Sequence, residues 1–401
     1  MTDTSTVPGL RERARLSYTH HLADLIGRVE AEAARLRVAG DRALADAAAA
    51  TRTESARTSV RLDGSPLEDA TAAAVEAGHH PAVHDPALHD PQTAAEGSAP
   101  DPAAPPDPAA PAAPAEAAGG WAQALRLEGL PTQDVAALEH AGVLAVHAAE
   151  DRLAGELFAD PRGTLAQAHR LLTHGLVDPE VAGTPRRTDQ AVHDGAQGQL
   201  LYPLPEPALV PALLEDLCAW LGRDSATVPT PVVAGLVHQA LLEWQPFEAA
   251  GGRLARAAAR LVLRARGLDP VGAIPLDRRA AADPARYHRE VAATRRRRGD
   301  VVPWLEWWLE GVAATAGALA DRAHQVTVTA PATVASVLRR RRDEAITITE
   351  YASEVGCDRE RARADLRVAE TAGLVRTVPG SRRLRFVLDA PDEPSRPFER
   401  G

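Results

Sequence analysis

From Ala99 to Gly120 the chain reads APDPAAPPDPAAPAAPAEAAGG, with seven prolines between Pro100 and Pro114. Such a stretch has too little apolar surface to offset its ordering entropy, and its prolines cannot continue a helix or a sheet ladder. At about 3.1 Å per residue in the polyproline form, it would span roughly 70 Å. The run before it, HHPAVHDPALHDPQ, has the same character. Residues 75–120 are therefore expected to be a disordered linker, dividing an N-terminal segment, 1–74, from the rest.

On either side the pattern is helical. The 401 residues are 45% hydrophobic but only 3% aromatic, and alanine and leucine dominate. Alanine loses no side-chain entropy in a helix, whereas β-branched residues do. Leu22, Leu25, Ile26 and Val29 recur at helical spacing within 10–62, which reads as two or three helices. Beyond the linker, helices are expected over 121–156, 162–175, 208–223, 230–243, 253–266, 284–297 and 302–325, with a polar, turn-rich stretch at 178–203. Residues 331–390 read as a separate unit. It has helices near 332–342, 348–355 and 359–372, then a basic, β-prone tail.

The charge pattern excludes several chemistries. The net charge is −10, and every cationic side chain is arginine, for the chain contains no lysine. A P-loop and a lysine Schiff base are thereby excluded. Cys218 and Cys357 stand alone, so neither a disulfide framework nor a cysteine-rich zinc site is expected. No apolar run of about 18 residues is present, and the N-terminus lacks the apolar core of a secretory signal. A cytoplasmic protein with no membrane association is expected. The acidic total argues against a chain that coats nucleic acid as a whole.

The segment Trp244–Arg256, WQPFEAAGGRLAR, carries the chemistry. Pro246 cannot continue a helix that ends near Trp244. Gly251 and Gly252 then open a new one, whose exposed backbone N–H groups and dipole make an anion cradle. Arg253 and Arg256 lie three apart and project from the first turn on one face. Two guanidinium groups above such a cradle suit a di- or triphosphate. The alternative is a tight helix–loop–helix turn with solvated arginines.

This loop resembles the signature of the Fic family, His-Pro-Phe-x-Asp/Glu-Gly-Asn-Gly-Arg-x-x-Arg. It matches at Pro246, Phe247, Gly252, Arg253 and Arg256. VAGTPRR with QLLYPLPEPALVPALLEDLCAWLG is similar to the family's β-hairpin flap and the helix that follows. GLVHQALLEW is similar to the helix before the loop, and ARYHREVAATRRRRGDVVPWLEWWLEGV to the closing helices. The resemblance covers roughly 121–325, in order. It implies a mainly α-helical Fic-type core and a site for ATP formed by Phe247, Gly251, Gly252, Arg253 and Arg256. In ESARTSVRLDG, residues Ser59, Asp63 and Gly64 are similar to the family's inhibitory helix, Ser/Thr-x-x-x-Glu-Gly, whose carboxylate pairs with the last loop arginine, here Arg256. Aspartate is one methylene shorter than glutamate. A plain helix end with a glycine cap is the alternative.

Four departures from the signature stand in this loop, three of them chemical losses. The family's histidine takes a proton from a target hydroxyl as that oxygen attacks the α-phosphate, and a general base contributes about 10²–10⁴-fold. Gln245 stands in its place and cannot accept a proton. The acidic position that anchors Mg²⁺ is Ala249, so the metal loses its carboxylate. The asparagine position is Gly251, and the first glycine is Ala250. Glu248 is adjacent but is expected to point elsewhere. His238, about two helical turns upstream, is expected to pack or cap.

In the C-terminal unit, Val355-Gly356-Cys357 gives a short turn between two helices. The unit resembles a winged helix. Arg359, Arg361, Arg363 and Arg367 decorate its second helix, and Arg376, Arg382, Arg383 and Arg385 its wing. Residues 331–390 hold 12 arginines against 9 acids, a modest +3. DNA and a protein are both open as partners. The run Arg295–Arg298 reads as a solvated helix end, and the His79–His89 cluster as a linker feature. The sequence permits a homodimer. The expected function is that of an inactive or strongly weakened relative of protein adenylyl (AMP) transferases, holding a nucleotide or an unidentified target protein in the old cleft. A winged-helix transcriptional regulator with a Fic core as sensor is the alternative, and a residual enzyme the third reading.

Overall fold

The computed structural model describes residues 7–38, 41–84, 130–193, 200–341, 344–379 and 384–388. The expected linker from residue 85 onward, the start of the 121–156 helical stretch, Gly380, Arg382 and Arg383 lie outside them. The described chain is mainly helical, with two small antiparallel sheets, and divides into two compact units.

The first unit comprises Met1–Ala34 and Ala47–Ala316. Its helices are α1 (Leu10–Arg13), α2 (His20–Val38), α3 (Asp41–Leu62), α4 (Asp69–Glu76), α5 (Thr132–Ala148), α6 (Glu150–Glu156) and α7 (Pro161–Leu172). After a hairpin come α8 (Val210–Ala219), α9 (Thr230–Trp244), α10 (Gly251–Ala265), α11 (Asp277–Ala282), α12 (Pro284–Arg296) and the start of α13 (Val302–Arg340). The hairpin is β1 (Ala191–His193) with β2 (Leu200–Pro203), in antiparallel register Ala191↔Pro203 and Val192↔Tyr202.

Helices α9 and α10 form the centre. The sequence of α9, TPVVAGLVHQALLEW, is mostly apolar, as an enclosed helix must be, and nearly all of it is buried, with His238, Gln239 and Glu243 bonded inside. Gly235 lets α13 approach. A Cβ there would lie 2.7 Å from Leu305, and the Trp304 indole donates to the Gly235 carbonyl at 2.9 Å. Helix α10 is buried as far as Leu263 although it carries Arg253, Arg256, Arg260 and Arg264 on one stripe. Charges so placed need carboxylates. Glu150 meets Arg260 at 2.8 Å, and Asp151 accepts from the Arg264 Nε at 2.9 Å.

The second unit comprises Arg35–Asp46 and Gly317–Gly401. Its core is built from Val334, Val337 and Leu338 of α13, with Ile346, Tyr351, Leu366, Val375 and Phe386. It contains β3 (Ile346–Thr347), α14 (Ile348–Val355), α15 (Arg359–Thr371), β4 (Val375–Thr377) and β5 (Arg385–Leu388), with β5 central in the sheet. A Thr347–Glu350 capping box starts α14, and Gly356, at φ 74°, ends it.

Met1–Ala34 and the chain from Ala47 cluster with the helical core, and two expectations change. The linker does not begin at 75: Val75 and Glu76 finish α4, and a 3-10 turn follows at Pro81–His84. Val75 and Ala82 are apolar and buried, which the histidine and proline content around them conceals. Finally, the helices expected at 302–325 and 332–342 are one, running through Pro331. An interior proline removes one backbone bond and costs about 3 kcal/mol, less than packing on both sides returns.

Candidate active site

Helix α9 ends on Gln245, which adopts a left-handed conformation at φ 38°. Ala249 and Ala250 are also left-handed, at φ 61° and 51°, and Gly251 starts α10. The elbow thus holds three left-handed non-glycine residues, each strained by about 1–2 kcal/mol. The surroundings enforce it. Arg186, itself buried, donates from Nε to the Gln245 carbonyl at 2.9 Å and from Nη2 to the Pro205 carbonyl at 2.6 Å, and its backbone N–H bonds the Pro246 carbonyl. Pro185 bridges Phe247. Phe247 stacks on His169 at 4.9 Å between ring centres. His169 Nε2–H donates to the Glu248 carbonyl at 2.7 Å, while Nδ1 accepts from the Gly183 N–H at 2.9 Å. Both nitrogens are engaged in the neutral tautomer, and burial lowers the histidine's pKa to about 4.

Glu248 points away from the helix start. Its carboxylate accepts from the Arg187 and Thr188 N–H groups, the Thr188 hydroxyl at 2.7 Å and the Gln190 amide at 2.5 Å. These four bonds fix the strand-side segment to the loop and occupy the oxygens a metal would need. Ala249 offers only a methyl, and no cluster of three metal-ligating side chains occurs among the described residues. The loop does not fit a protein-anchored Mg²⁺.

The first turn of α10 holds a carboxylate. Asp63 accepts from the Arg253 N–H at 3.1 Å and pairs with Arg256 Nη2 at 2.7 Å. The shorter side chain reaches because residue 252 is glycine: a Cβ there would lie 2.3 Å from Asp63 Oδ1. Arg256 also donates to the Ser59 hydroxyl at 2.7 Å and the Ser59 carbonyl at 2.8 Å. Gly64, at φ 89°, caps the turn after Asp63. Burial works against the Arg256 charge, yet Asp63, Tyr287 and Asp277 hold its pKa above the usual arginine value. Asp277, 3.5 Å from Arg256, has its own pKa raised by burial.

Arg253 finds a second carboxylate. Its Nη2 lies 3.0 Å from Glu139 on α5. Even so, Arg253 Nε and Nη1 and Arg256 Nη1 are buried without a hydrogen-bond partner. Arg253 Nε does lie 3.6 Å from Asp63 and Arg256 interacts with the Tyr287 side chain, so what these atoms lack is a close acceptor, the role a phosphate oxygen fills best. Gln245 closes the other side, its amide oxygen 2.5 Å from where a Gly251 Cβ would stand. A side chain at 251 and Gln245 in this pose therefore exclude one another.

The structure brings Gln245, Phe247, Gly251, Gly252, Arg253, Arg256, Ser59, Asp63 and Gly64 to one place. His238 is elsewhere. It is buried edge-on to Trp304 and Trp308, bonds the Tyr287 hydroxyl at 2.7 Å, and burial lowers its pKa to about 3. Arg359, Arg361 and Arg363 belong to the second unit. The Arg295–Arg298 run ends α12 with Arg296, Arg297 and Arg298 exposed, while Arg295 Nη1 donates to the Pro203 carbonyl and Arg297 meets Glu290. Sequence reasoning missed Glu139, His169, and the Arg13–Glu243 pair. Arg13 meets Glu243 at 2.6 Å and lies over the Trp244 ring at 5.2 Å, bracing the end of α9. The signal for Glu139 and Glu150 was the arginine stripe of α10, which demands acids from elsewhere.

Residues 161–263 match the Fic/DOC family, a span that includes the whole elbow. A Fic family protein from Desulfovibrio desulfuricans G20 has a similar structure, with a TM-score of 0.56 at 18% identity over 95% of this chain and 99% of that one. A fragment of Fic-1 from C. elegans gives a TM-score of 0.49 at 18% identity, over 77% of this chain and 73% of that one. No curated protein matches by sequence. The likeness to the first structure establishes the mainly helical Fic fold.

Proposed function

We propose that this chain, whose residues 161–263 match the Fic/DOC family, holds a nucleotide by its phosphates at the start of α10 and transfers AMP weakly or not at all. Phosphate oxygens would take the unpartnered donors of Arg253 and Arg256 and the N–H groups of the first turn. Those buried guanidinium atoms, which lack a hydrogen-bond acceptor within reach, support the reading. A solvated turn, the plain structural alternative, would leave them in water. Asp63 holds the cradle closed in the described state, as an internal stand-in for the anion. Transfer needs a group that takes a proton from the incoming hydroxyl. Gln245 cannot, and the buried, fully bonded His169 is no substitute. Since Glu248 is saturated, binding is expected without a metal anchored by the loop. Calorimetry with ATP, wild type beside Arg253→Ala, tests this: heat from the wild type that the variant loses supports it, and no heat from either removes it.

A further inference from the structure

The hairpin beside the elbow is tied to the start of the chain through two arginines and one carboxylate. Helix α1 packs on α8 and α9, with Leu10 and Arg13 buried. Its neighbours hold it there. Arg11 Nε meets Asp224 at 3.0 Å, the Arg11 N–H donates to Asp216 at 3.2 Å, and a Cβ on Gly299 would lie 2.9 Å from Pro8. Arg13 reaches the core. It donates from Nη1 to Glu243 Oε2 at 2.6 Å and from Nη2 to Glu243 Oε1 at 3.0 Å, and Nη1 also bonds Gln239 at 2.7 Å. Both members of the pair are wholly buried.

Glu243 has a second arginine close by. Arg295 Nε lies 3.9 Å from the same Oε1 that Arg13 Nη2 holds, too far for a hydrogen bond. Arg295 Nη1 donates instead to the carbonyl of Pro203, the last residue of β2. One residue earlier, Tyr202 is buried against α12, its ring 6.3 Å from that of His288. The seat of β2 on α12 therefore depends on which acceptor Arg295 serves. A buried carboxylate without its partner attracts an arginine more strongly than a neutral carbonyl does. Arg295 stays on Pro203 because Arg13 already neutralises Glu243. We infer that residues 7–14 are a latch for the hairpin: Arg13 is a positioning residue that acts through Glu243 and Arg295. Withdrawing the latch turns Arg295 toward Glu243 and unseats β2, whose hairpin base at residues 187–190 is bonded to Glu248 of the elbow.

Hydrogen exchange of the full chain, followed at the amides of β1, β2 and Leu204, tests the latch. Arg13→Ala should quicken exchange there about tenfold, the effect of losing one charge-assisted bond, while α7 keeps its rate. Where Arg13→Ala does not fold, Arg13→Lys decides: a single ammonium can hold Oε2 but does not span both oxygens, so Oε1 passes to Arg295 and the hairpin again exchanges faster. Glu243→Gln removes the competing charge. Alone or joined to Arg13→Ala, it should leave the hairpin at the wild-type rate while α1 exchanges faster. Arg295→Ala should quicken the hairpin by itself, and Arg13→Ala should then add nothing. A hairpin unchanged in the folded Arg13 variant would overturn the inference. So would a hairpin that Glu243→Gln loosens as much as Arg13→Ala does, or α7 quickening in step with the hairpin, which is general loss of stability.

Discussion

Replacing Asp63 with alanine should weaken the fold and open the phosphate site in the same step. The carboxylate contributes one charge-assisted bond to Arg256 at 2.7 Å and one to the Arg253 N–H at 3.1 Å. Breaking a buried pair costs about 3–5 kcal/mol. Here the side chain keeps 21% of its exposure and Arg256 retains Ser59, so about 2–3 kcal/mol is the appropriate range. The same energy must be supplied by any ligand that displaces Asp63. At about 1.4 kcal/mol per tenfold, wild-type affinity is lowered roughly 30- to 160-fold relative to an open cradle. Asp63→Ala should therefore melt at a lower temperature alone, bind ATP more tightly by that factor in calorimetry, and regain stability with ligand. Equal dissociation constants for variant and wild type would refute Asp63 as the closing group.

Other outcomes follow from the same geometry. Ala250→Gly removes left-handed strain of about 1–2 kcal/mol but adds about 0.5–1 kcal/mol of chain entropy, so a gain of up to about 1.5 kcal/mol is expected from urea melts. Gly251→Asn should destabilise the wild type, because its Cβ meets Gln245 at 2.5 Å, and much less so on a Gln245→Ala background; an additive cycle would contradict that coupling. His169 is buried and neutral with its pKa lowered to about 4, so an unfolded chain takes up this proton first. Its contribution is complete above about pH 6.5 and is lost as pH falls to about 4, on the order of 3 kcal/mol, and His169→Gln should flatten that part of the stability–pH curve.

The local elements were legible because their causes are local. The apolar run of α9, Pro246 and the paired glycines place the elbow without tertiary information. So does Gly356 between α14 and α15. What escaped depends on distant partners. Nothing near Glu139 announces that it meets Arg253, and nothing near Arg13 announces Glu243, since each pair joins segments far apart in the chain. The direction of Glu248 was anticipated, but its four bonds to residues 187–190 arise from the bridge between Pro185 and Phe247. Pro331 misled in the opposite sense: local chemistry breaks a helix there, and burial of Val334, Val337 and Leu338 carries it through.

This cradle is expected to retain nucleotide and to transfer it weakly or not at all. Incubating the Asp63→Ala chain with α-labelled ATP, collecting it on a filter and then washing with acid reads both halves at once. Label that stays on the filter until acid releases it is the expected result. Acid-stable label making up most of the retained counts would contradict the account, as would a filter that retains none.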